Sequence, residues 1–356
     1  MTRTPFLVGA LAFSAWMAGP AQWTPQISPT RERLRGVSAV SATVAWASGN
    51  KGTALRTTDG GTSWLSVAPP AAQDLDFRDI EAFDARTAYV LSIGPGDRSR
   101  IYRTTDGGAR WALVFTNGDP RAFYDAIAFW DRTHGLAFGD PVDGRFTIVR
   151  TDDGVTWTPV GREGMPEALP GEGAFAASGT CLVTGGTTRA WFATGGAART
   201  RVFRSADRGS TWQVADTPLV AGTASAGAFS LAFADEQHGM VVGGDYRREG
   251  EPSDNLAITG DGGRTWTTGK TRLRAFRSAV AAWPRGKGRA WIAAGPAGAD
   301  WSDDGGQTWA PVEGEGFHAL SVARRGAAAW AVGEQGRIAI LRARPLDIFQ
   351  GRSRDD

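Results

Sequence analysis

Cysteine and histidine are scarce in this chain of 356 residues. Cys181 is the only cysteine, which excludes a disulfide within the chain and a cysteine cluster for a metal. His134, His238 and His318 are the only histidines, and the first two occupy the same turn position in different repeat units, too far apart to share a metal. We therefore expect no metal and no cofactor, and we interpret Cys181 as a small buried residue of an inner strand.

The charge balance also excludes a class of partner. The chain has 39 basic and 37 acidic residues, a net charge of +2, and only three of the basic residues are lysine. So weak an excess gives no reason to expect nucleic-acid binding. Sustained helical periodicity is missing too, whereas 48 glycines, 18 prolines and 15 tryptophans are typical of short strands joined by tight turns. These features predict an all-β protein.

Long apolar runs are absent except near the N-terminus, where Arg3 precedes an apolar stretch from Pro5 to Met17. The stretch is short for a membrane span, and small residues follow at Gly19 and Ala21. We predict a signal peptide at 1–21, an exported protein that is periplasmic or secreted, and no transmembrane span in the mature chain. An uncleaved anchor is the alternative. Residues 346–356 are expected to form a polar tail.

A short turn sequence, first seen as RTTDGGTSW, occurs six times, and we call each copy a box. Each pairs an aspartate with a tryptophan five residues later, and successive aspartates are 43 to 55 residues apart, the spacing of a repeat architecture. The pairs are Asp59 and Trp64, Asp106 and Trp111, Asp152 and Trp157, Asp207 and Trp212, Asp261 and Trp266, and Asp304 and Trp309.

Each box is predicted to be a hairpin turn. The aspartate and the Thr or Ser two residues before it can bond loop backbone, glycine allows a positive φ, and the tryptophan packs on a neighbouring sheet. The third box has Arg150 where Thr or Ser is expected, so we expect one side-chain hydrogen bond to be missing there.

Two further strand patterns precede each box, as in FRDIEAFD (77–84) and TAYVLSIG (87–94), and both occur seven times. Seven units of four strands predict a seven-bladed β-propeller, a single domain over 22–345. In the fourth unit the innermost strand is expected at GAFAASGT (173–180). Trp23 to Ile27 resembles the strand after the third box, so residues of about 22 to 28 are expected to complete the last blade and close the ring.

The boxes resemble the Asp-box, or BNR, repeats of sialidases and related propellers. With segments such as TAYVLSIGPGDRSRIYRTTDGG and HGLAFGDPVDGRFTIVRTDDG, residues 22 to 345 more closely resemble the photosystem II stability/assembly factor-like propellers. The resemblance implies an exported, non-catalytic scaffold that binds a protein partner in the cell envelope or assists assembly of a membrane complex. We expect a monomer.

Candidate site residues gather on the face opposite the boxes, at the starts of the innermost strands and in nearby loops. Arg35, Arg78 and Arg277 are predicted to bind a carboxylate, a phosphate or an acidic protein segment, because a guanidinium group can donate two parallel hydrogen bonds to such an anion. The predicted site also includes Asp79, Asp125, Asp140 and Arg145. The other expected residues of this face are Tyr124, His318, Asp97, Arg98, Asp245, Tyr246, Arg247 and Glu334. A solvated rim of paired charges is the alternative interpretation.

A sialidase-like glycoside hydrolase is the alternative function, because such enzymes hold the substrate carboxylate with three arginines. Against it, an Arg-Ile-Pro motif is missing near the N-terminus, and Tyr246 is the last tyrosine, so a late-blade nucleophile is missing. We therefore predict no catalytic residues.

Overall fold

The computed structural model describes residues 22–283, 290–323 and 328–342. The predicted signal peptide, 1–21, and the predicted tail, 346–356, lie outside the described residues. Within the described part, 27 strands form seven antiparallel sheets, and the only helices are two short 3₁₀ segments at Gly96–Arg98 and Glu334–Gly336. The predicted all-β, seven-bladed propeller is confirmed. No helix in the described ranges is long and apolar enough to cross a membrane.

The first strand and the first three blades occupy the N-terminal part of the chain. Their strands are β1 (Thr24–Gln26); β2 (Leu34–Ala39), β3 (Ala45–Gly49), β4 (Thr53–Thr57) and β5 (Leu65–Ser66) in blade 1; β6 (Asp76–Ala82), β7 (Ala88–Ile93), β8 (Arg100–Thr104) and β9 (Ala112–Thr116) in blade 2; and β10 (Tyr124–Phe129), β11 (Gly135–Val142), β12 (Arg145–Thr151) and β13 (Thr158–Pro159) in blade 3.

The remaining four blades follow in chain order. Their strands are β14 (Leu182–Gly185), β15 (Arg189–Ala193), β16 (Thr200–Ser205) and β17 (Gln213–Thr217) in blade 4; β18 (Ala226–Phe233), β19 (Gly239–Asp245) and β20 (Leu256–Thr259) in blade 5; β21 (Ala279–Trp283), β22 (Ala290–Gly295), β23 (Gly298–Ser302) and β24 (Ala310–Val312) in blade 6; and β25 (Ala319–Val322), β26 (Ala328–Val332) and β27 (Ile338–Arg342) in blade 7. In blade 5 an isolated bridge between Ile258 and Thr267 takes the place of a fourth strand.

The ring closes between the two ends of the chain. Strand β1 pairs antiparallel with β27, with Thr24 opposite Ile340 and Gln26 opposite Ile338. The side chain of Gln26 also reaches blade 1, where its Oε1 accepts a hydrogen bond from Trp64 Nε1 at 3.0 Å. The predicted closure by the N-terminal strand is therefore confirmed, and β1 joins the last blade to the first.

The second strands of the blades are largely buried. Every residue of β3 and of β26 is buried, because both faces of each blade are covered by its neighbours. A strand buried on both faces carries a nearly continuous run of small and apolar residues, which explains sequences such as AWASG and AAWAV. The fourth strands lie at the rim, and Leu65–Ser66 is exposed.

Polar side chains on the innermost strands tie neighbouring blades together. Ser38 Oγ accepts a hydrogen bond from Ala82 N at 3.0 Å, and Asp79 Oδ2 accepts one from Ile127 N at 2.7 Å. These bonds satisfy backbone N–H groups in the crowded centre of the ring, where an unpaired group would destabilise the fold. Asp79 therefore joins blade 2 to blade 3.

Five of the six box turns share one hydrogen-bond pattern, shown here by the fourth. Ser205 Oγ accepts a bond from Gly209 N at 2.9 Å and donates to Asp207 Oδ1 at 2.8 Å. Asp207 in turn accepts bonds from the backbone N and the Oγ1 of Thr211, at 2.9 and 2.6 Å. The turn is stabilised from within, while Trp212 is buried against Phe192 at a ring separation of 4.7 Å.

The third box departs from its predicted alignment. Asp153, not Asp152, accepts the turn bonds, from Val155 N and Thr156 N, both at 2.7 Å. Thr151 supplies the hydroxyl, which donates to Asp153 at 3.1 Å. The turn is one residue shorter than in the other boxes, so the expected loss of a side-chain hydrogen bond at Arg150 is wrong.

The predicted innermost strand of blade 4 at 173–180 is also wrong. The innermost strand is the short β14, and Cys181 lies just before it, fully buried. Residues 173–181, which we call the strap, instead run across the centre of the ring. Gly179 of the strap passes so close to Asp79 that a Cβ atom there would lie 2.2 Å from Oδ1.

Candidate binding site at the channel mouth

A cavity of about 490 Å³ lies on the face opposite the boxes. It is lined by the strap, by residues at the starts of innermost strands, and by residues at the ends of second strands and in the loops that follow them. The lining residues are Arg33, Arg35, Arg78, Ile93, Phe123, Asp125, Asp140, Ala174, Phe175, Ala176, Ala177, Phe229, Tyr246, Glu249, Phe276, Ser278, Pro296, His318 and Glu334.

The strap forms part of this cavity wall and is held by several blades. Arg35 Nε donates to Ala177 O at 3.0 Å, and Arg78 Nη1 donates to Ala176 O at 2.9 Å. Ser178 Oγ donates to the carbonyl of Ser278 in blade 6 at 2.7 Å. The strap is thus a fixed part of the site.

Before the strap, a buried ion pair anchors the chain. Arg201 Nε donates to Glu172 Oε1 at 2.8 Å, and the same oxygen accepts from Thr194 Oγ1 at 2.6 Å. Glu172 Oε2 also accepts a bond from Leu169 N at 2.8 Å. Both charges are buried and well hydrogen-bonded, so the entry to the strap is tightly specified.

One side of the cavity is cationic, with Arg33, Arg35 and Arg78 grouped together. Burial and the neighbouring charges of Arg78 and Arg33 lower the pKa of Arg35 to about 9. Arg35 still carries its charge at neutral pH, but its environment disfavours that charge. An anionic group placed in the cavity would relieve this repulsion.

A histidine and a glutamate border the arginines. His318 Nε2 lies 2.7 Å from Glu334 Oε1, which also pairs with Arg33 Nε at 2.7 Å. Burial and the charge of Arg35 lower the pKa of His318 to about 4. The imidazole is therefore neutral at pH 7 and donates its hydrogen to the ionised Glu334.

An aromatic cluster forms another wall. Phe175 of the strap stacks on Phe229 with ring centroids 3.9 Å apart, and Phe276 meets Phe229 edge-on at 4.7 Å. Tyr246 packs edge-on against both Phe175 and Phe229 at about 6 Å and is 42% exposed. This wall offers an apolar surface to a ligand that enters from the solvent.

Two carboxyl groups lie in the remaining part of the cavity wall. Asp125 is 1% exposed, and its Oδ2 has no hydrogen-bond partner in the described structure. Asp140 Oδ1 accepts a bond from Ala174 N of the strap at 2.9 Å. Burial raises the pKa of both groups, and the charge of Asp140 raises that of Asp125 further.

Of the seven predicted binding residues, Arg35, Arg78, Asp125 and Asp140 come together in this cavity. The other three do not line it. Asp79 is buried in its bond to blade 3, and Arg145 Nη1 donates to the carbonyls of Arg162 and Met165 at 3.0 and 2.6 Å.

Arg277 does not belong to the predicted ring of binding arginines. It is fully buried, and its Nε donates to Asp300 Oδ2 at 2.8 Å. Asp300 itself is 1% exposed, so this guanidinium is occupied by a carboxylate of its own blade. The expectation that Arg277 faces a ligand is wrong.

Among the other residues expected on this face, Tyr246, His318 and Glu334 line the cavity. Sequence reasoning missed Arg33, Glu249 and the phenylalanines. Arg33 lies two residues before Arg35 in RERLRG, a signal that could have been found, whereas nothing local to Phe229 or Phe276 distinguishes a cavity wall from a buried core.

The remaining histidines lie in turns, as predicted from their shared sequence context. His134 Nδ1 lies 2.8 Å from Asp131 Oδ2, and His238 Nδ1 lies 2.9 Å from Asp235 Oδ2. In the part of the chain that the structure describes, no group of three or more His, Cys, Asp or Glu residues could hold a metal ion.

The fold and the cavity define a seven-bladed β-propeller with an amphipathic cavity on the face opposite the boxes. No protein-family model matches the sequence, and no curated protein matches it. Two solved structures of YCF48 have a similar fold. One is "YCF48 bound to D1 peptide", with 16% identity, a TM-score of 0.63, and coverage of 91% of this chain and 99% of that one.

The other is YCF48 from Cyanidioschyzon merolae, with 17% identity, a TM-score of 0.60, and coverage of 90% of this chain and 99% of that one. The resemblance inferred from the sequence is thus confirmed at the level of the fold. Identities this low carry no residue roles from one chain to the other.

Proposed function

We propose that this protein is an exported, non-catalytic propeller scaffold that binds a peptide segment of a protein partner in the cell envelope. The cavity beside the strap supports the proposal, because it brings three arginines and an aromatic wall together in one cleft that is open to the solvent. The bound segment presents a carboxylate to the arginines and an apolar side chain to Phe175 and Phe229.

The charges of the site favour an anionic group at the arginine side. Arg78 uses Nε for Asp76, at 2.8 Å, and Nη1 for the strap, yet a guanidinium carries five N–H donors. The repulsion among Arg33, Arg35 and Arg78 falls when an anion joins them. A peptide carboxylate, either terminal or from an acidic side chain, has the planar shape that these groups recognise.

The peptide nature of the ligand has support from the comparison as well. One of the two structures of similar fold is YCF48 bound to D1 peptide. By analogy, we propose that a chain segment of a membrane complex is the ligand here and that the protein assists assembly of that complex. The propeller acts as a monomer in this role.

A binding experiment tests the proposal. The mature chain from residue 22 is immobilised, partners are captured from an envelope extract of the source cells, and the affinity for the identified partner is measured. Arg78→Ala should weaken binding about tenfold or more and, because it also removes a hydrogen bond to the strap, lower the melting temperature slightly. Arg110→Ala is the matched control, because this exposed arginine lies in a box on the opposite face. If wild type and Arg78→Ala bind the partner with equal affinity, the partner binds outside this cavity.

Two further measurements test export and the lack of catalysis. N-terminal sequencing of the protein recovered from the periplasm or the medium should find a new terminus near Gln22. The purified mature protein should not hydrolyse sialic-acid or related glycosides. Turnover that disappears in Arg78→Ala would favour the alternative function, a sialidase-like hydrolase.

A further inference from the structure

The acidic part of the cavity is chemically unlike the arginine side. Asp125 is the second residue of β10, the innermost strand of blade 3, and Asp140 lies on the adjacent strand β11. Both line the cavity that the arginines line, but the charge that acts most strongly on Asp125 is that of Asp140. The two carboxyl groups therefore form a separate acidic side of the cavity.

Asp125 has an unfilled bonding capacity. Its side chain is almost completely buried, and Oδ2 has no partner in the described structure. An unpaired carboxylate oxygen in such a place is unfavourable by itself. Asp125 lines the cavity, and only its Oδ2 lacks a partner, since the backbone of Asp140 bonds to the carboxyl group. Oδ2 is itself shielded from solvent, so a donor in the cavity bonds this oxygen when the carboxyl group turns toward the cavity.

We propose that Asp125 and Asp140 form a subsite for a cationic group, the ammonium or guanidinium of a lysine or arginine side chain in the bound peptide. This inference rests on the proposed function and extends it. The peptide then carries two opposite charges, a carboxylate for the arginines and a cation for the aspartates, with apolar atoms against the aromatic wall between them.

The electrostatics of the pair agree with this assignment. Burial raises the pKa of both carboxyl groups, and the charge of Asp140 raises that of Asp125 further, so a cation beside them would offset these effects. The nearby titratable groups are Asp79 and Cys181, which are themselves buried. The pKa of the Cys181 thiol is raised by burial and by these carboxyl groups, so it supplies no competing negative charge at neutral pH.

A small cation tests the subsite without the partner. The mature protein, labelled with ¹³C at its aspartate carboxyl carbons, is titrated with n-butylguanidinium, and Asp125→Asn and Asp140→Asn serve to assign the signals. The Asp125 and Asp140 signals should move saturably. The neutral isostere n-butylurea should bind about tenfold more weakly or worse, since it lacks the charge.

The two variants should each weaken n-butylguanidinium binding about tenfold or more, while Arg110→Ala, on the box face, should leave it unchanged. If a variant does not fold, the comparison of the two small ligands on the wild-type protein decides the matter. Unmoved Asp125 and Asp140 signals, or equal binding of n-butylurea, would overturn the subsite. Equal binding of n-butylurea would indicate that Asp125 remains protonated and binds the ligand as a neutral hydrogen-bonding group.

The partner gives a second and independent readout. In the identified peptide segment, lysine or arginine is replaced by norleucine, one position at a time. One replacement should weaken binding to the wild type but not to Asp125→Asn. A peptide that binds through Arg78 with no such position would contradict the cationic subsite and leave the proposed function intact.

Discussion

A box aspartate acts by accepting hydrogen bonds from the backbone of its own turn, so its effect is local. This explains why the same residues recur around the ring while the opposite face has none of that regularity. The third box shows that the hydroxyl and the aspartate two residues later define the turn, since Thr151 and Asp153 keep that relation although the loop is shorter.

Asp153→Ala should therefore destabilise the protein, while Asp152→Ala should change the free energy of unfolding by no more than about 0.5 kcal/mol. The two residues are neighbours, which makes them a matched pair. Urea unfolding measures both. Hydrogen bonds lower the pKa of Asp153 below its ordinary value of 3.8, so its stabilising effect should be lost as the pH falls below about 3.8. The reverse order of the two variants would contradict the assignment.

The pH dependence of the stability contributed by Asp79 should have the opposite sign to that of Asp153. Burial raises its pKa to about 7, so between about pH 4 and pH 7 the folded protein binds a proton that the unfolded chain has released. The contribution of Asp79 to stability is thus fully present at low pH and is lost as the pH rises through 7.

Compared with Asp79→Asn, the wild type should lose stability from pH 5 to pH 8, by at most about 1.4 kcal/mol per pH unit. Urea unfolding of both proteins across this range measures the difference. Other titrating groups, such as His318, are common to both proteins and cancel. Parallel pH profiles would show that Asp79 does not titrate in this range.

At the scale of elements, two segments that are not part of the repeat, the strap and β1, complete the structure. The strap occupies the centre of the ring and supplies part of the cavity wall, and β1 completes the last blade. Trp23, just before β1, is 5% exposed and lies 5.0 Å from Phe317. The ring is therefore closed by packing as well as by strand pairing.

Removal of residues 22–28 should lower the melting temperature of the whole domain, because it exposes the edge of β27 and leaves a cavity where Trp23 packs in the core. Trp23→Ala alone should cost about 3–5 kcal/mol. The control is Ile27→Ala, since that side chain is 85% exposed and its loss should be nearly neutral. An unchanged melting temperature after the truncation would mean that β1 does not hold the ring.

At the scale of the whole molecule, a net charge of +2 gives no strong overall attraction for an anionic partner, so binding should depend on the local field of the cavity. Salt should screen this field, because the Debye length of a 0.1 M salt solution is about 10 Å. The partner affinity of the wild type should therefore fall as salt rises, and the fall should be smaller for Arg78→Ala.

Arg277→Ala supplies the contrast in this experiment. It leaves Asp300 with a buried charge and should destabilise the fold by about 3–5 kcal/mol, without altering the salt dependence of the protein that remains folded. Binding titrations at two salt concentrations, together with urea unfolding of each variant, measure both effects. A stable Arg277→Ala protein with weakened binding would show that Arg277 belongs to the binding site after all.

The sequence by itself determined the seven repeats, five of the six box turns and the closure of the ring, because each depends on neighbours within one turn or on a strand pattern that repeats. It could not decide which arginine faces the ligand. Phe77-Arg78 and Phe276-Arg277 look alike in sequence, yet one guanidinium lines the cavity and the other meets Asp300. Residues 173–180 likewise resemble a strand, but the tertiary structure carries them across the channel, where arginines of blades 1 and 2 bind their carbonyls. Contacts between residues 23 to 142 positions apart decide these features, and a pattern within one strand or turn does not specify them.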